Sequence, residues 1–372
     1  MKVLIVHPRF TVYGGAELVI VELIKYLQSQ KVKVGLLTTS SDVDPLIQGF
    51  VWGLKAPIKT IVCPNRLGGI KGEIVALANG VRKHAKDYDV INIHNFPATF
   101  SIPFTGKKPV VWMCNEPELY LYAKEKQYLV PFAAMEEGII RGGVKKVVVA
   151  DRYNRARLTG GFSIDPDKIE ILPYGVDYNF WSQGKRVPHE GGLRLLQVGQ
   201  VSPFKNQMAS LKVVDRLVNS YTPIVSERIK VEQLFLVGSV ADQKYKRRLE
   251  EFCNRRNLWP YVTMVRHIDR EALREHYYRA DYLLHPVKPQ GGWLTPFDAI
   301  CTGLPVIVSS RFTGYETIEL NNLGYVVNKT SQAVNLIRAG VGAPSMAGEW
   351  VRWNLTWERY CSGMLKVFEE VV

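Results

Sequence analysis

At 372 residues the chain exceeds one ordinary hydrophobic core, so two domains are expected. Apolar residues make up 47% and charged residues 22%, which is typical of a globular protein and excludes a disordered chain. The net charge of +13 is spread evenly: residues 1–180 hold 23 Lys and Arg against 17 Asp and Glu, and the remainder holds 25 against 18. Neither half is a basic module, so no nucleic-acid partner is expected.

The cysteines and the apolar runs indicate the compartment. Five cysteines is an odd number, and they are widely spaced without a Cys-x-x-Cys pair, as in reduced thiols without a zinc site. The first apolar run is too short for a signal peptide, and no run approaches the roughly 18 residues of a membrane span. We therefore expect a cytoplasmic protein, and its basic balance leaves peripheral association with the cytoplasmic membrane face open.

Short β-branched apolar runs alternate with helical patterns along the whole chain, from "KVLIVHP" to "GYVV". Such continuous runs predict parallel strands, buried on both faces and joined by helices. The fold class is therefore α/β, with two facing, doubly wound, Rossmann-like domains and a ligand in a deep cleft at the carboxyl ends of the strands. The Gly-rich, polar segment from Gly175 to Gly192 predicts domains at 1–180 and 181–345, followed by a C-terminal helix at 346–372.

In the first half, the loop "HPRFTVYGGAE" places Gly14 and Gly15 before a helix that starts near Ala16. Either a phosphate-facing helix start or a plain tight turn fits this pair. The dinucleotide fingerprint G-x-G-x-x-G is absent here, which disfavours a dehydrogenase. His94 and Asn115 each end a predicted strand on the cleft side, although a histidine in such a position is often a cap or core residue.

In the second half, Lys205 follows the strand "LRLLQVG" in a loop where its ammonium group can reach a phosphate, or can simply be solvated. Further on, "PQGGWLTPFD" reads as a helix start with Thr295 as N-cap, and Asp298 in the first turn either binds ligand or completes a capping box. The N–H groups of such a helix end suit a diphosphate.

The C-terminal tail carries an apolar stripe at helical spacing. Its opposite, polar face mixes acidic and basic residues, which favours packing against protein over packing on a membrane surface. The stripe comprises Trp350, Trp353, Trp357, Tyr360, Met364 and Phe368.

Taken in order and spacing, several segments resemble the family-4 glycosyltransferases, which have the GT-B fold and transfer sugars with retention of configuration. The segments are "GGAE", "LPYGVD", "VGQVSPFKNQ", "LFLVG", "HPVKPQGGWLTPFDAICTGLPVIVSS" and the Trp-Glu-Arg at Trp357. The resemblance implies that Lys205 contacts the donor diphosphate and that Asp298 holds the ribose. It also implies that the last helix crosses back onto the first domain.

The resemblance implies three sets of site residues. The catalytic set comprises Lys205, His94 and Gln290. The acceptor set comprises Asn115 and Glu116. The donor set comprises Gly14, Gly15, Gly199, Gln200, Lys205, Arg266, His267, Gln290, Gly291, Gly292, Trp293, Leu294 and Asp298.

The chain departs from the family pattern at three places. Gln290 and Asp298 stand where the family usually has glutamates, and Gln200 stands where an arginine commonly accompanies the phosphate lysine. Asn115 follows Cys114 where many members have a cleft histidine. Gln290 can still hydrogen-bond with a sugar hydroxyl but supplies no charge, and Gln200 weakens the positive field on the diphosphate, so these changes bear on donor choice and rate.

The expected activity is transfer of a hexosyl group from a UDP- or GDP-type sugar to a glycan or lipid-linked acceptor, in cell-envelope or polysaccharide synthesis. By resemblance, the reaction retains configuration and needs no metal or other cofactor. The alternatives are a weak or inactive nucleotide-sugar-binding relative, or a nucleotide-sugar epimerase or phosphorylase on the same fold.

Overall fold

The computed structural model describes residues 1–10, 14–39, 59–125, 127–186, 189–219, 229–266, 268–288 and 293–372. The chain forms two compact units, of which one combines Met1–Gly175 with Trp357–Val372 and the other is Val176–Thr356. The chain thus passes between units at Gly175 and at Thr356, whereas the sequence analysis placed these boundaries at 180 and 345.

Unit one is built on a seven-stranded, all-parallel sheet in the order β3-β2-β1-β4-β5-β6-β7. Its central strands are buried along nearly their whole length, which is why they read as continuous apolar runs. The strands are β1 (Lys2–Val6), β2 (Lys33–Thr38), β3 (Lys59–Val62), β4 (Val90–His94), β5 (Val110–Met113), β6 (Lys146–Val149) and β7 (Ile169–Ile171).

Helices cover the sheet of unit one. The α-helices are α1 (Gly15–Ser29), α2 (Gly69–His84), α3 (Glu118–Glu125), α4 (Val130–Gly143) and α5 (Arg152–Gly161). Short 3₁₀ segments lie at Ala85–Asp87, Ala98–Phe104, Gln127–Leu129 and Pro166–Lys168.

Unit two repeats the design with a six-stranded parallel sheet in the order β10-β9-β8-β11-β12-β13. The strands are β8 (Leu193–Val198), β9 (Val231–Val237), β10 (Val262–Val265), β11 (Tyr282–His285), β12 (Val306–Ser309) and β13 (Tyr325–Val327). The helices are α6 (Tyr178–Trp181), α7 (Gln207–Asn219), α8 (Gln243–Arg256), α9 (Arg270–Arg279), α10 (Leu294–Cys301), α11 (Tyr315–Leu320), α12 (Thr330–Arg338) and α13 (Ala347–Asn354), with a 3₁₀ segment at Trp259–Tyr261.

Both sheets reverse their strand order at one point, between β1 and β4 in unit one and between β8 and β11 in unit two. In open parallel sheets, ligands bind outside the carboxyl ends of the strands at this switch point. The prediction of two doubly wound α/β domains is confirmed, and the two switch points show where each unit offers a binding crevice.

The tail forms two helices, not one. Helix α13 ends at Asn354 in unit two, and α14 (Trp357–Val371) belongs to unit one, where it packs against α1. The predicted stripe is correct for Tyr360, Met364 and Phe368, which are buried, but wrong for Trp353, which is 67% exposed. The break between the helices shifts the helical phase, so the tryptophans of α13 do not continue the face of α14.

Candidate donor and acceptor sites

Lys205 lies at the switch point of unit two, between the end of β8 and the start of α7. Its backbone carbonyl accepts a hydrogen bond of 2.6 Å from the Gln197 amide, and its N–H donates to the Ser202 carbonyl at 3.1 Å. Its Cδ lies 3.3 Å from the point where a Cβ on Gly199 would stand. The predicted loop position of Lys205 is therefore held by backbone contacts, and a glycine makes room for its side chain.

A second glycine, which the sequence analysis did not select, completes this turn. Gly238 follows β9 with φ of 153°, and a Cβ there would lie 2.3 Å from the Gly199 carbonyl oxygen. Gly199 itself has φ of 141°, so both positions favour glycine. Gln200, next to Gly199, is exposed, and its carbonyl accepts a 3.0 Å hydrogen bond from buried Gln207. The sequence signal that could have identified Gly238 was its position directly after an apolar run that is typical of a strand.

His285 is the last residue of β11 and lies beside this turn. The sequence analysis did not select it as a site residue. It is 1% exposed, and neither ring nitrogen has a hydrogen-bond partner within the described part of the chain. Burial lowers the pKa of its imidazole well below the ordinary value, and the nearby charge of Lys205 lowers it further. The ring packs edge-on against Phe312 at 5.0 Å between centroids. A neutral imidazole with unused polar capacity therefore lies next to Lys205.

The loop that follows β8 and the loop that follows β11 are linked by two hydrogen bonds. The Asn206 amide donates to the Pro286 carbonyl at 2.8 Å, and the Lys288 N–H donates to the Phe204 carbonyl at 2.9 Å. Beside them, a cavity of about 120 Å³ is lined in part by Asn206 and His285. A whole nucleotide sugar needs a larger pocket, of roughly 300 Å³ or more, so this cavity does not hold the donor.

The predicted helix start at Thr295 is wrong. Helix α10 begins at Leu294, with Trp293 in the N-cap position and no side-chain cap bond. Trp293 is buried, and its ring lies 4.4 Å from that of Phe297, so aromatic packing sets the start of the helix. Leu294 is half-buried. The expected positions of Gln290, Gly291 and Gly292, like that of His267, lie outside the described residues.

Asp298 does not complete a capping box. Its half-buried carboxyl group instead has a side-chain hydrogen bond with Trp181, close to the ion pair between Asp177 and Arg270, whose nearest atoms are 3.1 Å apart. Burial raises the pKa of the Asp298 carboxyl well above its ordinary value. The charge of Asp177 raises it further, while Arg270 and the Trp181 hydrogen bond oppose the shift. The capping alternative is therefore excluded, whereas ribose binding stays a prediction.

Arg266 lies directly after β10 and is exposed at the carboxyl edge of the sheet. Strand β10 lies at the end of the sheet, two strands from β8. The structure thus brings Gly199, Lys205 and His285 together at the switch point, and Arg266 stands further along the same edge.

In unit one, His94 lies at the equivalent switch point, at the end of β4. It is fully buried, and its Nε2 lies 2.7 Å from the Asn92 Oδ1, whose amide nitrogen donates to the Val111 carbonyl. This arrangement makes Nε2 the donor and leaves Nδ1 as an acceptor without a partner among the described residues. Burial lowers the pKa of His94 well below the ordinary value, as does neighbouring His7.

Gly14 and Gly15 lie at the amino end of α1, beside the same switch point. Gly14 is the N-cap, and Gly15 is exposed as the first helical residue. A Cβ on Gly14 would lie 2.5 Å from one carboxylate oxygen of Glu17. The other carboxylate oxygen of Glu17 lies 3.2 Å from His7 Nε2. His7, also missed from the sequence, faces His94 edge-on at 6.4 Å.

Asn115 is already engaged within unit one. Its amide nitrogen donates to Asn95 at 2.7 Å, and its oxygen accepts from the Tyr174 hydroxyl at 2.6 Å. Glu116 follows it and is half-buried. Both the nitrogen and the oxygen of the Asn115 amide already have hydrogen-bond partners. Asn115 can therefore bind an acceptor substrate only through its unused hydrogen-bonding capacity or by giving up one of these partners.

Two general properties concern metals and membranes. Within the described ranges, no cluster of three or more histidine, cysteine or acidic side chains is arranged to hold a metal ion. In the same ranges, no helix combines the length and apolarity needed to cross a membrane.

Two protein-family models match this chain, one over most of unit one and one over most of unit two. Residues 13–180 match the model of Glycosyltransferase Family 4, and residues 181–339 match that of Glycosyl transferases group 1. The chain belongs to the family-4 glycosyltransferases and has the GT-B fold.

Relatives and solved structures are similar at low identity. A D-inositol 3-phosphate glycosyltransferase of Kineococcus radiotolerans is 22% identical over 80% of this chain and 73% of its own length. Its counterpart from Geodermatophilus obscurus is 25% identical over 44% of this chain, and that match spans only 38% of the relative.

Among solved structures, Anabaena HepE in complex with UDP-glucose has a TM-score of 0.78 at 15% identity, over the full length of both chains. Sucrose-phosphate synthase from Thermosynechococcus elongatus has a TM-score of 0.78 at 16% identity, over 99% of this chain and 98% of that one. These similarities establish the fold alone.

Proposed function

We propose that this glycosyltransferase moves a hexosyl group from a UDP- or GDP-type sugar to a glycan or lipid-linked acceptor, with retention of configuration and without a metal. The observation that carries the proposal is that Lys205 and His285 lie at the ends of adjacent strands, at the switch point of unit two, where a 2.8 Å hydrogen bond from Asn206 to the Pro286 carbonyl joins the two loops. A cation and an uncharged hydrogen-bonding ring suit a diphosphate and the sugar attached to it. The UDP-glucose bound by the HepE relative supports this donor class.

In the proposed reaction, the bond between the anomeric carbon and the diphosphate oxygen breaks, and its electron pair stays on that oxygen. The acceptor hydroxyl forms the new bond on the same face of the sugar, and its proton passes to the departing phosphate. Lys205 stabilises the charge that develops on the leaving group, together with N–H groups at the start of α10. Asp298 holds the ribose. His94, in unit one, has an unprotonated Nδ1 that is able to accept a hydrogen bond from a hydroxyl group.

Donor binding is tested first, by thermal shift with a panel of nucleotide sugars and free nucleotides. A ligand at 100 times its Kd adds about 2.7 kcal/mol to the free energy of unfolding. For a protein of this size this corresponds to a rise in Tm of roughly 5–10 °C. No shift with any UDP or GDP compound would remove the proposal. Retention is then tested by NMR of the anomeric proton of the product, and metal independence by turnover in EDTA.

A second candidate, a weakly active or inactive nucleotide-sugar-binding relative, is favoured by two observations. Gln200 offers an exposed neutral amide where the family commonly has arginine, and the Asp298 carboxyl already bonds with Trp181. This candidate predicts nucleotide-sugar binding without transfer or donor hydrolysis. Gln200→Arg provides the comparison, because a large gain in turnover at unchanged Tm would identify the missing charge as the cause.

A further inference from the structure

The cavity of about 120 Å³ beside Asn206 and His285 lies on the α7 side of the sheet in unit two. It is bounded by α7 and α12, which pack against each other, and by the carboxyl ends of β11, β12 and β13. Helix α10, whose amino end is the expected diphosphate position, contributes no residue to the described lining. The cavity is therefore distinct from that position, although it adjoins the loop that carries Lys205.

Two buried polar side chains of the cavity wall have no hydrogen-bond partner among the described residues. Ser210 on α7 is fully buried, and this holds for its Oγ. His285 is 1% exposed, and it holds for both of its ring nitrogens. Buried polar groups in folded proteins nearly always bond with protein, water or a ligand. Two such groups in the wall of one small cavity therefore indicate a polar occupant.

The charges around the cavity favour an anion as that occupant. Lys329 is part of the lining, and the described lining residues include no Asp or Glu. Burial and the nearby charge of Lys205 both lower the pKa of His285, so the field of Lys205 reaches the cavity wall. An anion would thus meet two positive charges and no carboxylate from the described lining.

The amino end of α12 adds hydrogen-bond donors. Thr330, the first residue of this nine-residue helix, lines the cavity. Lys329 holds the N-cap position, and an ammonium group cannot accept a hydrogen bond from the N–H groups of the first turn. Those N–H groups and the positive end of the helix dipole suit a bound anion.

The size of the cavity limits the anion to a small one. A cavity of about 150 Å³ holds benzene, which has six non-hydrogen atoms. A cavity of about 120 Å³ therefore accepts about five, the number in phosphate or sulfate. Exposed Asn328 and Lys329 belong to the lining, so an ion can enter from solvent. About four water molecules, at about 30 Å³ each, are the alternative occupant.

We infer that this cavity is a second anion site of unit two, which takes a small tetrahedral oxyanion such as inorganic phosphate. Ser210 and one ring N–H of His285 donate hydrogen bonds to it, and Lys329 and the start of α12 balance its charge. The other ring nitrogen of His285 stays available to the donor. Because the Asn206 amide ties the loops after β8 and β11 at this cavity, the oxyanion supports the Lys205 loop from behind. Its binding needs no nucleotide sugar, so the inference can fail while the proposed transfer holds, and the reverse.

The first test is a thermal-shift titration of the full chain with potassium phosphate, at an ionic strength held constant with potassium chloride. We expect a saturable rise in Tm with phosphate and with sulfate, but none with chloride alone. Saturating UDP should leave the Kd for phosphate nearly unchanged. If phosphate instead occupies the position of the donor diphosphate, UDP will abolish the rise.

The second test changes the cavity wall and does not depend on whether UDP binds. Ser210→Ala should weaken phosphate binding about 10- to 150-fold, because it removes a hydrogen bond to a charged group. Without phosphate its Tm should not fall, since the Ser210 hydroxyl has no partner among the described residues. Lys329→Gln should weaken binding about two- to fivefold, as befits an exposed ion pair. The matched control, Lys212→Gln, removes an exposed lysine of α7 and should bind phosphate as the unmodified protein does.

Crystals of the full chain soaked in phosphate locate the ion directly. We expect tetrahedral density within hydrogen-bond distance of Ser210 Oγ. Water alone in the cavity would assign it to buried solvent and overturn the inference. So would a rise in Tm that UDP abolishes, or unchanged phosphate affinity in Ser210→Ala.

Discussion

The turn at Gly238 touches the turn at Gly199 through the backbone, because a Cβ on Gly238 would stand 2.3 Å from the Gly199 carbonyl oxygen. Gly238→Ala must therefore displace the segment that holds Lys205, and it also places alanine at φ of 153°. The backbone strain alone costs about 1–3 kcal/mol. We expect a lower Tm and weaker nucleotide binding. Gly348→Ala on α13, whose new Cβ would lie 3.6 Å from its nearest neighbour, should leave nucleotide binding unchanged and should not lower the Tm, because alanine suits a helix better than glycine.

Lys205→Ala should remove a charged contact with the donor diphosphate. Hydrogen bonds to charged groups are worth roughly 1.5–3 kcal/mol, so affinity for UDP or GDP should fall about 10- to 150-fold at nearly constant Tm. Affinity for the nucleoside without phosphates should not change. Lys244→Ala, at an exposed position on α8, serves as the control for loss of a lysine in titration calorimetry. Full affinity for the diphosphate in Lys205→Ala would remove the assignment.

Asp298→Asn keeps the size of the side chain but replaces one carboxyl oxygen with an NH2 group, which cannot accept a hydrogen bond from the ribose. If Asp298 holds the ribose, this variant should bind the nucleotide about 10- to 150-fold more weakly. The unmodified protein should also discriminate against the 2′,3′-dideoxy nucleotide, and Asp298→Asn should not. Trp181→Phe removes the competing hydrogen bond and should preserve that discrimination. Equal discrimination in Asp298→Asn would limit Asp298 to its structural contact with Trp181.

The buried neutral histidines predict a stability that depends on pH. Because folding lowers the pKa values of His94 and His285, the unfolded chain binds more protons, and stability falls as the pH drops below about 6.5. Each histidine contributes a slope of up to about 1.4 kcal/mol per pH unit. Denaturant melts between neutral pH and pH 5 should show this loss, with smaller slopes for His94→Gln and His285→Gln.

Lys205→Met separates the causes of the His285 shift. Removal of the neighbouring positive charge should raise the pKa of His285 and reduce the pH slope, although burial will keep part of the effect. The same substitution should leave the contribution of His94 unchanged. A slope that does not respond to Lys205→Met would mean that the charge of Lys205 is screened from the ring.

The sequence by itself determined the two parallel α/β units, because strands buried on both faces must be continuously apolar, and it determined the loop position of Lys205 between a strand and a helix. The tertiary structure alone decided that His285 lies beside Lys205 and that Gly238 supports Gly199, since these pairs meet through neighbouring strands far apart in sequence. It also decided that Trp293, and not Thr295, precedes α10, and that Asp298 contacts Trp181. Local propensity favoured a threonine cap, but the burial of large aromatic side chains outweighs one hydrogen bond.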